Sequence, residues 1–158
     1  MVPQFSSAAG STGRIVVARV APDMDVLESL EAICVRHGIR YGVITGTIGS
    51  LRSVNLHYVN RVVPIEGKGY TDRLVMEGPF NVLCGQGLVS PADDPDRRNI
   101  HYHAVLSGEN DVVYGGHIEK GTVTLTTLDV SILEIHDIVL TRKRDPQTGV
   151  IVTFVENG

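Results

Sequence analysis

Three histidines lie close together in the stretch 100–120, IHYHAVLSGENDVVYGGHIEK. His101 and His103 are two apart, so on a β-strand their side chains leave the same face. Ser107-Gly108-Glu109-Asn110-Asp111 reads as the turn that follows. A hairpin centred on Asn110 sets His117 opposite His103, since 103 + 117 = 220 = 2 × 110. Directly opposed residues share a face, with Cβ atoms about 4.5–5.5 Å apart. Three imidazoles then meet on one patch. Such a set suits Zn²⁺ or a similar divalent metal and leaves a fourth position open for water or substrate. Gly115-Gly116 lets the backbone bend or approach closely just before His117. The same spacing also fits ordinary sheet histidines satisfied by neighbouring groups. His37, His57 and His136 stand apart and read as structural or surface residues.

The elements that must hold this patch are mostly strands. Residues 14–20 (RIVVARV) are β-branched and apolar, and predict a strand. One helix follows. Asp25 with Glu28 three residues later fits a capping box, in which each side chain satisfies a free backbone N–H. Val26, Leu30, Ile33 and His37 fall at helical spacing, and Gly38 suits the left-handed end. From residue 39 the pattern is β. Strands are expected over 41–48 and 53–59, around Gly49-Ser50-Leu51, then over 72–76 and 80–89. Residues 60–71 read as an irregular connection and 90–99 as a loop. Further strands are expected over 100–107, 112–118 and 122–135. In the last of these, Val123 and Leu125 are odd while Leu128, Val130 and Ile132 are even. A one-residue slip flips the face, so a bulge near Thr126-Thr127 is expected. Strands over 138–142 and 150–155 flank a turn at Asp145-Pro146-Gln147-Thr148-Gly149. The predicted fold class is α+β: a mostly antiparallel sheet with one N-terminal helix packed on it.

Composition fits that reading. The chain has 158 residues, the size of one domain, with 42% hydrophobic and 20% charged residues. Residues 1–13 are expected to be a flexible tail and 14–158 a single domain. With 3 Phe, 5 Tyr and no Trp, the core must be built from Val, Ile and Leu. Cys34 and Cys84 each sit in an apolar segment and read as two buried thiols. The first residues lack a basic start and an apolar run, and no stretch is long enough for a membrane span. The expected location is cytoplasmic. The 14 Lys+Arg against 18 Asp+Glu leave a net charge of −4, which excludes a wholly basic nucleic-acid surface.

Several pieces together resemble the PPC (plants and prokaryotes conserved) domain family. Asp25 opens the helix. Gly46-Thr47-Ile48-Gly49-Ser50-Leu51 is similar to the family's G-x-x-G-S-L turn. His101-Tyr102-His103, Gly115-Gly116-His117-Ile118 and Gly121 resemble its H-x-H, G-G-H-L and G signature. Asp129 stands where the family usually has Glu. The resemblance spans roughly residues 13–143. It implies a compact α+β fold associating as a homotrimer, and a metal, zinc above all, on His101, His103 and His117. It also brings the DNA-binding label that stand-alone prokaryotic members usually carry provisionally. Two departures matter. Gly78-Pro79-Phe80-Asn81-Val82 replaces the family's frequent G-R-F-E-I, and the sequence contains no Arg-Gly-Arg-Pro AT-hook core.

Three functions therefore compete: a DNA-associated regulatory domain, a metal-dependent small-molecule binder or enzyme, and a trimeric protein-interaction module. The basic clusters Arg97-Arg98 and Arg142-Lys143-Arg144 lack interleaved aromatics, and Asp93, Asp94 and Asp96 offset the first. The sequence names no DNA-binding residue. No Ser/His/Asp order, phosphate-binding glycine loop or cysteine nucleophile is visible. Glu77, Glu109 and Asp129 are the acidic residues that could serve as a base near the histidines.

Overall fold

Even-numbered residues of the first strand, Val16 and Val20, point into the core, while Val17 and Arg19 face outward. The same alternation runs through most of the chain and makes it a sheet protein. The computed structural model describes residues 5–58, 72–109, 112–146 and 149–158. The elements are β1 (Ser11–Val20), α1 (Val26–Arg36), β2 (Gly42–His57), β3 (Leu74–Pro91), β4 (Arg98–Ser107), β5 (Val113–Ile118), β6 (Val123–His136), β7 (Ile138–Arg144) and β8 (Ile151–Asn157). The predicted connection 60–71, the hairpin centre at Asn110-Asp111 and the turn tip at Gln147-Thr148 lie outside the described residues.

Six strands form one antiparallel sheet in the order β1-β6-β2-β3-β4-β5. β5 also pairs with the end of β2, through Leu56↔Ile118 and His57↔His117. The strands β2, β3, β4 and β5 are thereby joined in a ring. β7 and β8 form a separate hairpin, closed by Asp145 N–H to Val150 O at 2.8 Å. Among the described residues no helix is long and apolar enough to cross a membrane.

α1 begins and ends as its sequence predicts. Asp25 Oδ1 accepts from the Glu28 N–H at 3.0 Å, and Asp25 Oδ2 accepts from the Gly121 N–H at 2.7 Å. One carboxylate thus caps the helix and ties it to the turn before β6. The Glu28 carboxylate meets Lys120 Nζ at 3.3 Å. At the other end Gly38 has φ 67°, and the Ile39 N–H reaches back to Cys34 O at 2.9 Å. This is the six-residue closure that a left-handed glycine permits. Val26, Leu27, Leu30 and Cys34 are buried against the sheet.

Four sequence expectations change. β1 starts at Ser11, inside the stretch read as tail. The pairs expected over 41–48 and 53–59, and over 72–76 and 80–89, are single long strands, β2 and β3. Bulges absorb the glycines, for instance where Leu51↔Phe80 gives way to Ser53↔Glu77. The bulge near Thr126 exists, but it spans four residues of β6 against two of β2, from Gly49↔Leu128 to Leu51↔Thr124. Two extra residues preserve parity, so Thr124, Leu128, Val130 and Ile132 all stay on the buried face. Ser50 Oγ and Thr126 Oγ1, 2.7 Å apart, bridge the excursion.

The fourth change is at the cysteines. Cys34 is buried, and burial pushes its thiol up to about 12. Cys84 is exposed. A bulge between Val82↔Leu106 and Cys84↔Val105 turns Leu83 and Cys84 outward in succession.

Glu31 is the one buried charge on the helix, and it anchors α1 to the start of β4. Its two oxygens accept from Arg97 Nε and Arg97 Nη2, and Oε1 also accepts from the Arg98 N–H at 3.1 Å. These contacts hold its carboxyl below the ordinary 4.5. Glu31→Gln should lower stability by about 1–2 kcal/mol, the scale of hydrogen bonds to a charged group with one partner partly exposed. An acid whose native pKa is depressed adds stability above its ordinary pKa and loses it below. The difference between wild type and Glu31→Gln in urea midpoint should therefore shrink as pH falls beneath 4.5.

Candidate metal centre

β4 sends Tyr102, Ala104 and Leu106 into the core and His101 and His103 to the outer face. The hairpin register matches the predicted one: His103↔His117, Ala104↔Gly116 and Ser107↔Val113. His101 Nε2 lies 3.1 Å from His103 Nε2, and His117 Nδ1 lies 3.3 Å from the same atom. The three ring centroids are 5.0, 5.0 and 5.1 Å apart. Their donor atoms all fall within 4.8 Å of one another.

Burial lowers the proton affinity of all three rings. His101 is held down to about 4, first by desolvation, then by Arg142 and His103. His117 is held down to about 3 by desolvation and by the neighbouring His101, His57, His103 and Arg142. His103 is lowered by desolvation, His57 and Arg142. The imidazoles are therefore neutral at neutral pH, the state in which each offers a lone pair.

This donor set fits a cation. A tetrahedral ion with metal–nitrogen bonds of about 2.0–2.1 Å separates its ligand nitrogens by about 3.3–3.4 Å. The observed 3.1 and 3.3 Å lie close to that edge. Without an ion, His103 Nε2 faces two ring nitrogens. A neutral ring nitrogen either donates or accepts, so one hydrogen role must answer two contacts.

A shallow cleft of about 470 Å³ opens beside the centre. Val43, Ile44, Thr45, Gln86, Gly87 and Leu88 line it, and it ends on His101 and His103. Cross-strand pairing explains the grouping: Val43↔Leu88, Leu88↔His101 and Gln86↔His103 put these side chains in adjoining rows.

The reading of His57 as isolated does not survive. It stacks on His117 with centroids 4.8 Å apart and planes at 27°. His57 Nδ1 lies 3.3 Å from Glu119 Oε1, and Arg73 Nη2 lies 3.6 Å from Glu119 Oε2. Neither His57 nor Glu119 could be placed from sequence, because the β2–β5 pairing joins segments far apart in the chain. The alternation in Val54, Leu56 and His57 marks the outward face, but not its partner. His136 sits at the surface, 3.9 Å from Glu134, and His37 caps α1. The acidic candidates also resolve. Asp129 is engaged by Arg19 at 2.7 Å, Glu77 is exposed on β3 opposite Ser53, and Glu109 is exposed beyond β4. None of the three belongs to the histidine group.

Comparison with known proteins agrees with this geometry. The Plants and Prokaryotes Conserved (PCC) domain matches residues 7–136. The chain belongs to the PCC domain family. A metal-containing PCC-like structure from Archaeoglobus fulgidus is 25% identical, with a TM-score of 0.80 over 94% of this chain and 98% of that one. A Bacteroides thetaiotaomicron protein with a provisional DNA-binding label is 17% identical, with a TM-score of 0.72 over 91% and 96% of the two chains. That identity shows the fold alone. Among curated proteins, the bifunctional protein GlmU of Synechococcus sp. (strain JA-3-3Ab) is 22% identical over 143 residues. The chain spans 21% of that relative's length, so the PCC fold corresponds to one part of it.

Gly116 is where the PCC sheet closes on the metal-ligand strand. A Cβ there would lie 2.7 Å from His57 O and 3.2 Å from Leu56 Cδ1. Gly116→Ala should force β5 away from β2, at a cost of about 1–3 kcal/mol. Amide exchange at His117 and Ile118 should speed up with it. Gly115→Ala, whose Cβ meets Ala104 O at 3.3 Å, should cost less.

Proposed function

We propose that this PCC protein binds a divalent metal ion, zinc in preference, through His101, His103 and His117, and admits a small molecule to it from the adjoining cleft. The observation that carries the reading is the convergence of three neutral ring nitrogens at 3.1 and 3.3 Å. Nitrogen donors of this kind suit zinc, and three protein ligands leave one position open. When bound, such an ion supplies Lewis acidity, polarising a carbonyl or lowering the pKa of coordinated water. The chain's own groups do the rest. Antiparallel pairing fixes the three rings in register, burial keeps them unprotonated, and His57 backs His117 with a stacked face.

A homotrimer is the second part of the proposal. Support comes from the family resemblance and from large apolar side chains on the outer face of the sheet. Ile15, Val17 and Ile48 are 62%, 74% and 63% exposed. Burying such a surface between copies of the chain would remove it from water.

The DNA-binding label of some relatives has little electrostatic support here. Arg97 is taken up by Glu31, while Arg98 donates to Ile39 O at 2.8 Å and Pro95 O at 2.9 Å. Lys143 lies 3.7 Å from Glu156 and over the Phe154 ring, and Arg144 bonds Gly149 O. Both basic clusters are largely committed within the chain, and the net charge of −4 repels phosphate at long range.

Metal analysis of purified protein tests the main reading. Wild type should carry about one zinc per chain after reconstitution, and His103→Ala less than about a tenth of that, both with native circular dichroism. Equal zinc in both would sink the proposal. Light scattering at micromolar concentration should give the trimer mass. Fluorescence anisotropy with duplex DNA at low salt should show no binding near micromolar protein, and binding there would revive the DNA reading.

A further inference from the structure

The surroundings of the histidine centre define what kind of molecule should sit beside it. This inference rests on the metal-binding reading above. Three neutral imidazoles leave the charge of a divalent ion wholly uncompensated, unlike a site with a carboxylate or thiolate ligand. Glu119 is the carboxylate near His117, and it is already balanced between His57 and Arg73. A further cation is directed at the same place. Arg142, half-buried on β7, acts electrostatically on His101, His103 and His117 alike. Its element packs against β3, the strand that supplies Gln86 and Leu88 to the cleft. The β7–β8 hairpin lies beyond the matched residues 7–136. A guanidinium has five N–H donors, so it can keep a protein partner and still present others.

The cleft is of the opposite character. Val43, Ile44 and Leu88 give it apolar walls, while Thr45 and Gln86 are its uncharged polar groups. Thr45 Oγ1 is already engaged by Ser131 Oγ at 2.8 Å. Positive charge at one end and an apolar trough leading away from it match an amphipathic anion.

We propose that the cleft holds a small organic monocarboxylate, its head group at the His101–His103–His117 centre against Arg142 and its apolar tail along Val43 and Leu88. The carboxylate supplies the negative charge that the ion and the guanidinium lack. The tail replaces water over the trough, where each buried methylene strengthens binding by about fourfold. Arg142 is then a specificity determinant that does not ligate the metal.

The probe is sodium hexanoate, titrated calorimetrically into the zinc-loaded full chain, with acetate and 1-hexanol as comparisons. Hexanoate should bind about tenfold or more tightly than acetate, and 1-hexanol should give no heat. Arg142→Gln should weaken hexanoate by about tenfold while zinc content stays at the wild-type level. Leu88→Asn should bring hexanoate and acetate close together and leave acetate unchanged. In the cobalt(II)-substituted protein, hexanoate should shift the visible d–d bands, which places the head group at the metal. Zinc content, measured on the same samples, separates the two levels of inference. A chain that takes up zinc but binds hexanoate no better than 1-hexanol, or equally well in Arg142→Gln, overturns the carboxylate proposal and leaves the metal reading standing. A chain that takes up no zinc overturns the metal reading, and the ligand proposal with it.

Discussion

His117 lies on a strand of six residues that is hydrogen-bonded on both sides, to β4 through His103↔His117 and to β2 through His57↔His117. Much of the site depends on that double pairing. It sets the third imidazole opposite the first two, and it brings His57 and Glu119 up behind it. Side chains alternate along a strand with period two, so a slip of one residue would turn His117 to the opposite face. The neighbour Ile118 is fully buried and holds the register, since the same slip would expose it. The metal-ligand geometry is thus enforced by hydrophobic burial one residue away.

The same packing sets the electrostatics. Imidazoles on an open surface would titrate near their ordinary 6.5, but here desolvation is the largest influence on all three rings. Crowding adds to it, since each charged ring would face the others and Arg142. A cluster that resists protons in this way remains available to a divalent cation, whose charge is repaid by three lone pairs at once. Any ligand that completes the shell meets excess positive charge. A protein of net charge −4 therefore carries a small cationic centre on the outer face of its sheet.

Much of this was legible in the residues. The helix between Asp25 and Gly38 is announced by its own ends, because capping is satisfied within a few residues. The register of the β4–β5 hairpin follows from a short turn and two histidines that had to share a face. The long strands were not legible. Gly49 and Gly78 read as breaks, but neighbouring strands supply hydrogen bonds on either side and the chain passes through as a bulge. Cys84 read as core from its apolar neighbours, and a single bulge after Val82 turned it outward. At Thr126 two extra residues rather than one kept the buried face even.

The sequence by itself determined the helix, the strand-rich character and the facing set His101, His103 and His117, because each follows from spacing within one element or one hairpin. Only the tertiary structure decided that β5 closes against β2, that His57 and Glu119 join the cluster, and that Arg142 comes to bear on it from the last hairpin. Those placements join residues remote in the chain. They are selected by which strands bury one another's apolar faces, a property of the folded sheet that no local pattern encodes.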